Sequence, residues 1–328
     1  AVGQGTARGL RELDLAVGLA RKLDPDAVAE IRTLSCPNCG ALIELAGASH
    51  SAECPFCATP VVTDTGTTRQ IKPQGLIPFA LTEEAARAAL GKWLGRLWFA
   101  PNGLMDYARK GRRLNGIYSP FWTFDADTAS RYSGQRGTYY YETRNVTVTV
   151  NGKQQQREER VRRTSWTAVS GNVARRFDDV LVLAAKSLPR RYTDGLKPWD
   201  LSALVPYRPD YLAGFQAEGY TVDLDEGHAI AREEMARIIA VDVRRDIGGD
   251  EQRVGEVRTK HSAETFKHIL LPVWMAAYKY RGKSYRFVVN GQTGRVQGER
   301  PWSAAKIAIA VVIAAVVIGV GVWFGQTQ

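Results

Sequence analysis

All four cysteines of the chain lie in one short stretch, "CPNCGALIELAGASHSAECPFC" at 36–57, as two C-P-x-C hooks. Each hook places two thiolates on one tight turn, and two hooks supply the tetrahedral four-sulfur shell that zinc prefers. Cys36, Cys39, Cys54 and Cys57 are therefore the expected ligands. Iron competes for knuckles of this rubredoxin-like kind. Zinc is favoured because Gly40 follows the first hook but Ala58 the second, and no aromatic cluster lies within the segment. Four sulfurs close the shell, so the metal is expected to be structural and His50, inside the loop, to remain a surface residue.

Other reactive groups do not converge. With every cysteine on a metal, no sulfur nucleophile is left. His228, His261 and His268 are scattered, and the pairs Asp178-Asp179, Glu158-Glu159 and Glu233-Glu234 are adjacent in sequence, so their side chains diverge on either a strand or a helix. No enzyme activity and no small-molecule substrate is expected.

The hooks need elements to hold them. The 14 residues between them read as a short hairpin, with "ALIEL" and "TPVVT" strand-like around a small-residue tip. Further along, "LTEEAARAALGKWLGRLW" (81–98) has helical spacing behind Thr82 as cap, and "LDEGHAIAREEMARIIAVDV" (224–243) has it behind Asp225. After each helix comes a strand of the form I-x-x-P-x-W, "IYSPFW" at 117–122 and "ILLPVW" at 269–274; before each lies an apolar lead-in, "LIPFAL" and "YTVDL". The order reads as a duplicated strand–helix–strand–strand unit. Hairpin turns are expected at Asn151-Gly152, Arg281-Gly282 and Asn290-Gly291. "REERVRR" (157–163) then reads as the solvated arm of the long hairpin, and the tryptophans at 93, 98, 122, 166, 199 and 274 as packing.

At 328 residues, with 45% apolar and 24% charged content, the chain can bury a core, and its net charge of +10 points to anionic company. Residues 1–35 carry no long apolar stretch of a secretory signal. The run Ile307 to Phe324 is 18 apolar residues, roughly 27 Å of helix, close to a bilayer core of about 30 Å. Trp302 and Trp323 bracket it as interfacial belts, and Lys306 lies on its upstream side with Arg295 and Arg300. This predicts a transmembrane helix with Trp302, Lys306, Ile307, Trp323 and Phe324 as its anchor residues. Positive-inside asymmetry places the bulk of the chain in the cytoplasm, at a cell inner membrane crossed once. "RKGRR" supplies Arg109, Lys110, Arg112 and Arg113 as a basic group able to touch lipid phosphates.

The expected fold class is α+β: an N-terminal zinc ribbon, a mainly antiparallel β platform with two helices, and a C-terminal transmembrane helix. The expected divisions are a helical segment at 1–33, the ribbon at 34–64, the platform at 70–300 in two related units (about 70–185 and 205–298), and the membrane helix at 303–325.

The stretches "SPFWTFD", "FDDVLVLA", "PWDLSALVPY", "YLAGFQAE", "DIGGD", "TFKHILLPVW" and "VNGQTGRVQGERPWS" resemble a bacterial family of membrane-anchored, TFIIB-type zinc-ribbon proteins, over about 36 to 306. Members are often labelled "primosomal protein N′ (replication factor Y), superfamily II helicase". Some neighbour SPFH-domain (flotillin-like) and phage-shock-protein A-like proteins, which implies a role in membrane stress or membrane remodelling. The resemblance implies Cys36, Cys39, Cys54 and Cys57 as ribbon ligands and implies no catalytic residue.

The helicase label does not fit the residues. "AYKYRGKS" (277–284) ends as a phosphate loop does but has Ala277 at the first glycine and lies between strands. "DEGH" (225–228) sits at a helix start, and "DIGGD" (246–250) is a turn. The expected function is a membrane-anchored adaptor with protein and lipid partners, an SPFH-type assembly foremost. The alternative is a membrane-tethered nucleic-acid binder. Against it, residues 34–60 contain neither Lys nor Arg to neutralise phosphate, so the ribbon is not expected to bind nucleic acid.

Overall fold

Three very long strands dominate the structure, a computed structural model. It describes residues 10–44, 51–57, 59–62, 66–99, 114–150, 153–280, 283–299 and 302–326. The strands are β1 (Leu13–Asp14), β2 (Val28–Ser35), β3 (Leu42–Glu44), β4 (Ser51–Glu53), β5 (Pro60–Val62), β6 (Gly66–Ile71), β7 (Gly75–Leu76), β8 (Asn115–Val150), β9 (Lys153–Leu183), β10 (Val205–Pro206), β11 (Gln216–Gly219), β12 (Glu251–Tyr280), β13 (Lys283–Asn290) and β14 (Val296–Gly298). The helices are α1 (Leu15–Leu19), α2 (Glu83–Gly95), α3 (Arg190–Gly195), α4 (Leu224–Ile247) and α5 (Ala304–Gln326). Among the described residues, one mixed sheet takes twelve of the strands, and β4 and β5 pair separately.

Strand β8 stays extended for 36 residues because its pattern has period two. Ala126, Thr128, Ser130 and Tyr132 are buried, while Asp127, Ala129, Arg131 and Ser133 between them are exposed. It pairs antiparallel with β9 on one side and β12 on the other.

The two I-x-x-P-x-W motifs lie side by side across the β8–β12 pair, in register Ile117↔Val273 and Phe121↔Ile269. Each lead-in strand then crosses to the other motif. Strand β7, which precedes α2, pairs parallel with β12 at Gly75↔Ile269, and β11, which precedes α4, pairs parallel with β8 at Gln216↔Ile117. Each lead-in thus meets the first residue of the opposite motif. The last residues are equivalent too. The Trp122 indole donates to Val222 O at 2.9 Å, and the Trp274 indole to Leu81 O at 3.1 Å. Both carbonyls lie two residues ahead of a helix start.

The helices α2 and α4 cover one face of this sheet. Leu90 and Leu94 of α2 pack with Trp274, Phe287 and Val289. Ala231, Met235, Ile239, Val243 and Ile247 of α4 pack with Trp122, Phe124, Tyr132 and Phe266. Thr82 caps α2 by accepting from Ala85 N. The N-cap of α4 is Asp223 rather than the expected Asp225, which falls in the first turn. Gly227, the glycine of "DEGH", lies against Trp122: an added Cβ would stand 2.6 Å from its Cδ1, so this position is a packing contact.

A buried ion cluster locks the irregular points of the long strands. The Lys267 amine meets Glu12 and Asp125 at 3.1 Å and Asp179 at 2.9 Å. Asp179 sits at φ 55° in the register shift between Phe124 and Ala126, and Ala263 at φ 50° in the shift between Ser262 and Thr265. Burial alone would push the amine down, but the three carboxylates outweigh it and raise it.

The expected fold class is corrected in two places. The ribbon is not a separate module: β2 and β3 join the large sheet through β11, whose Glu218 pairs with Ile43. The membrane helix is also corrected. Helix α5 forms from Ala304, and Ser303 just before it accepts from Lys306 N through its Oγ at 3.4 Å. Among the described residues no helix is long and apolar enough to cross a membrane. The transmembrane, single-pass and inner-membrane expectations are withdrawn with it, as is the cytoplasmic placement read from them. Trp302 and Trp323 are exposed, and Trp302 approaches Phe99 at 6.1 Å. Ile307 is exposed and Lys306 half-buried; the Phe324 side chain lies outside the described residues, as do Arg109, Lys110, Arg112 and Arg113.

Two predictions follow from this packing. Replacing Trp122 or Trp274 by Phe keeps an aromatic ring but strands a carbonyl, so each variant should lose about 1–3 kcal/mol in urea unfolding. A loss at one position only would show that the two crossings are not equivalent. The second concerns His268, buried between Trp122 and Tyr220, with Nδ1 on Ile71 O at 2.7 Å. Burial pushes its pKa down to about 4. The unfolded chain therefore takes up this proton first, and stability is full above about pH 6.5 and lost as pH falls toward 4. Between pH 7 and 5 the wild type should lose about 2 kcal/mol more than His268→Gln in paired urea titrations.

Candidate metal centre

The two hooks close on each other as their sequence requires. In the first, Cys36 N donates to Ala41 O at 2.9 Å and Gly40 N to Cys36 O at 2.8 Å. Gly40 turns the chain at φ 71°, a left-handed conformation that favours glycine. In the second, Cys54 N donates to Thr59 O at 2.9 Å, closing an equivalent loop. Asn38 Nδ2 reaches Thr59 Oγ1 at 3.1 Å and ties one hook to the other.

The four sulfurs lie within 4.8 Å of one another, and Cys36–Cys57 and Cys39–Cys54 stand at 3.6 Å. That is too far for disulfides, whose sulfurs bond at about 2.05 Å. It is close to the tetrahedron edge of roughly 3.8 Å that metal–sulfur bonds of about 2.3 Å generate. All four thiols are free, and Cys36, Cys54 and Cys57 are buried. Sulfurs this close cannot all ionise unless a cation is shared. The hydrogen bond from Cys54 brings Cys39 down to about 5, while the same bond drives Cys54 up. Thr59 Oγ1 lies 3.2 Å from Cys57 Sγ, a second contact from outside the cysteine set.

The centre is built into the main core. Phe56, between the second pair of cysteines, is fully buried. Together with Cys36, Cys54 and Cys57 it belongs to the cluster holding Leu34, Ile43, Ile117, Phe121, Ile269 and Leu271, on the sheet face opposite α2 and α4. The ribbon is thus one side of the core rather than a projecting knob.

Glu218 had no signal in the sequence. It lies on β11 opposite Ile43, fully buried, and neither its oxygens nor the Ser187 hydroxyl beside it makes a well-formed hydrogen bond. Burial pushes its carboxyl up to about 8, and the negative charge of Cys39 adds to the rise. At neutral pH it is therefore largely protonated, and it adds little negative charge beside a site already rich in it. Only its position on a short polar strand opposite the hairpin could have marked it.

The remaining sequence candidates stay apart. His228 contacts Glu264 at 2.8 Å, His261 contacts Arg232 at 2.8 Å, and His268 lies in the core. Among the described residues the four cysteines are the only group of three or more metal-capable side chains whose ligand atoms all lie within 4.8 Å of one another.

No family model matches the chain, and no solved structure matches it. The chain is similar to a Bacillus subtilis (strain 168) protein named "Uncharacterized protein YdjG", with 27% identity over 243 residues. The similarity covers 73% of this chain and 66% of the relative, so the chain spans a little under two thirds of that relative's length.

Substituting Cys54 by Ser should remove a ligand and leave Phe56 without a fixed turn. Metal content, read by mass spectrometry of the purified protein, should fall from one ion per chain to a small fraction. The variant should melt well below wild type, because structural zinc in finger peptides contributes about 10 kcal/mol or more. Unchanged metal content and melting would remove the site.

Proposed function

We propose that the protein is a non-catalytic scaffold, braced by a structural zinc ion, that binds protein partners. The observation that carries this reading is the closed four-sulfur shell set in the core, with hooks and Phe56 packed under the sheet. A metal with four protein sulfurs has no position for substrate or water, which is the arrangement of structural zinc and not of catalytic zinc. Zinc is preferred to iron on ligand chemistry: it holds closed thiolate tetrahedra without redox change. The ion would fasten the N-terminal strands to β11 and the central pair.

The scaffold has an extension suited to contact. Strand β12 leaves β8 at Gly137↔Glu251, and β8 and β9 continue as a two-stranded arm to Val150↔Lys153. Residues 138–150, thirteen in all, span roughly 44 Å. "REERVRR" lies on this arm, as expected for a solvated hairpin. The resemblance to zinc-ribbon proteins that neighbour SPFH-domain and phage-shock-protein A-like proteins makes those two classes the first partners to test.

The test mixes purified, zinc-loaded full-length protein with a purified SPFH-domain protein or a phage-shock-protein A-like protein from the same bacterium. Size-exclusion chromatography with light scattering should show a stoichiometric complex of micromolar affinity or better. Chelating the zinc should dissolve it by unfolding the scaffold. Failure with both classes, or a complex indifferent to zinc removal, would overturn the proposal.

A further inference from the structure

Among the described residues, one face of the long-stranded sheet is left open. Helix α4 covers the other, where Tyr132, Val169, Val173 and Val257 pack against it. On the open face, over residues 129–143 of β8 and their cross-strand partners, the floor is small and polar: Ala129, Ser133, Ala168, Ser170, Asn172 and Ala174 are all exposed. Two adjoining depressions of about 470 and 520 Å³ run along it, both lined by Arg131, Asn172 and Arg258.

Cations and aromatic rings alternate along the same face. The pairings Ala129↔Lys260, Arg131↔Arg258 and Gln135↔Arg253 set three cations from β12 and one from β8 on it. Further out, Tyr139↔Thr164, Tyr141↔Arg162 and Thr143↔Arg160 continue it along the arm. The Arg253 guanidinium lies over the Trp166 ring at 3.8 Å, Arg162 over Tyr139 at 4.3 Å and Arg160 over Tyr141 at 5.1 Å. Six cations stand against two carboxylates in this stretch, Glu251 and Glu256, the second held by Arg258 at 2.7 Å. Tyr141 is 57% exposed.

We propose that this face binds single-stranded nucleic acid, with phosphates on Arg131, Arg258 and Lys260 and unpaired bases stacked on the arginine–aromatic pairs that run out along the arm. An extended basic surface carrying planar rings and guanidinium planes suits a strand whose bases are unpaired. An acidic peptide or a lipid headgroup would use the charge and leave the rings idle. The cysteine segment, without Lys or Arg, takes no part.

The test is fluorescence anisotropy of a labelled oligo(dT) of about 15 nucleotides with the full chain. With phosphates on Arg131, Arg258 and Lys260, log K should fall against log salt with a slope of about −2. The triple variant Arg131→Gln, Arg258→Gln, Lys260→Gln should bind at least tenfold more weakly, and Tyr141→Ala about tenfold more weakly with unchanged melting. Arg237→Gln, on the exposed side of α4, should bind as wild type does. Tyr141→Ala alters one solvent-facing ring, so it keeps the test decisive if the triple variant does not fold. The proposal is overturned if wild type fails to bind at low salt, or if Tyr141→Ala binds normally. It is equally overturned if Arg237→Gln weakens binding as much as the triple variant. Displacement by polyglutamate, or by phosphatidylserine vesicles, as effective as by unlabelled oligonucleotide would identify a general anion surface instead and would also overturn it.

Discussion

The structure depends on the antiparallel contact between the two I-x-x-P-x-W strands. That contact sets a local two-fold relation: each motif faces the other, each receives the other half's lead-in strand, and each ends in an indole that holds the carbonyl before a helix. Neither half is complete alone, because the strand entering its helix is hydrogen-bonded to the other half. Backbone pairing and the two indoles thus place α2 and α4 on one face as a single operation. This leaves the opposite face to be closed by other means, and the N-terminal strands with their cysteines are the means used.

The metal centre is best understood from this geometry. A short hairpin has too little apolar surface to hold a face of a sheet by itself. Four sulfurs sharing a cation would add a rigid crosslink where side chains are few, and the buried Phe56 would carry that rigidity into the core. The neutral Glu218 is compatible with a shell of four thiolates, whereas an ionised carboxylate there would repel them. The lysine cluster acts similarly a few residues further along the long strands. Lys267 draws Asp125 and Asp179 across a register shift and brings Glu12 from the N-terminal segment against β12.

Much of this was legible in the chain, and the failures have physical causes. The cysteine spacing identified the four-sulfur cluster, because two tight turns nearly determine it. The helices over 81–98 and 224–243 were legible from 3.6-residue spacing, and Thr82 from its place before the first turn; the second cap moved to Asp223 because Asp223, Asp225 and Glu226 all suit a helix start. The repeated motifs were legible as words but not as partners, since sequence order says nothing about which lead-in pairs with which strand. The ribbon was misread as separate because its attachment is a long-range pairing, Ile43 with Glu218. The transmembrane reading of the C-terminal helix rested on apolar length and flanking tryptophans and charges, whereas among the described residues no helix is long and apolar enough to cross a membrane. Lys267 and Glu218 were silent, because burial of a charged side chain is decided by the fold around it.

The arm formed by the ends of β8 and β9 has a mechanical consequence. Inside the body a third strand and α4 stiffen the sheet; beyond Gly137 both supports end, and only one ladder of hydrogen bonds resists bending and twisting. A ribbon of that length fixed at one end is a cantilever, so small angular fluctuations at its root become large excursions at its tip. Once held, the tip passes any load to its root, where Asp250 Oδ2 accepts from Tyr139 N and Arg136 reaches back to the end of α4. The arm is thereby both a feeler and a lever on that helix.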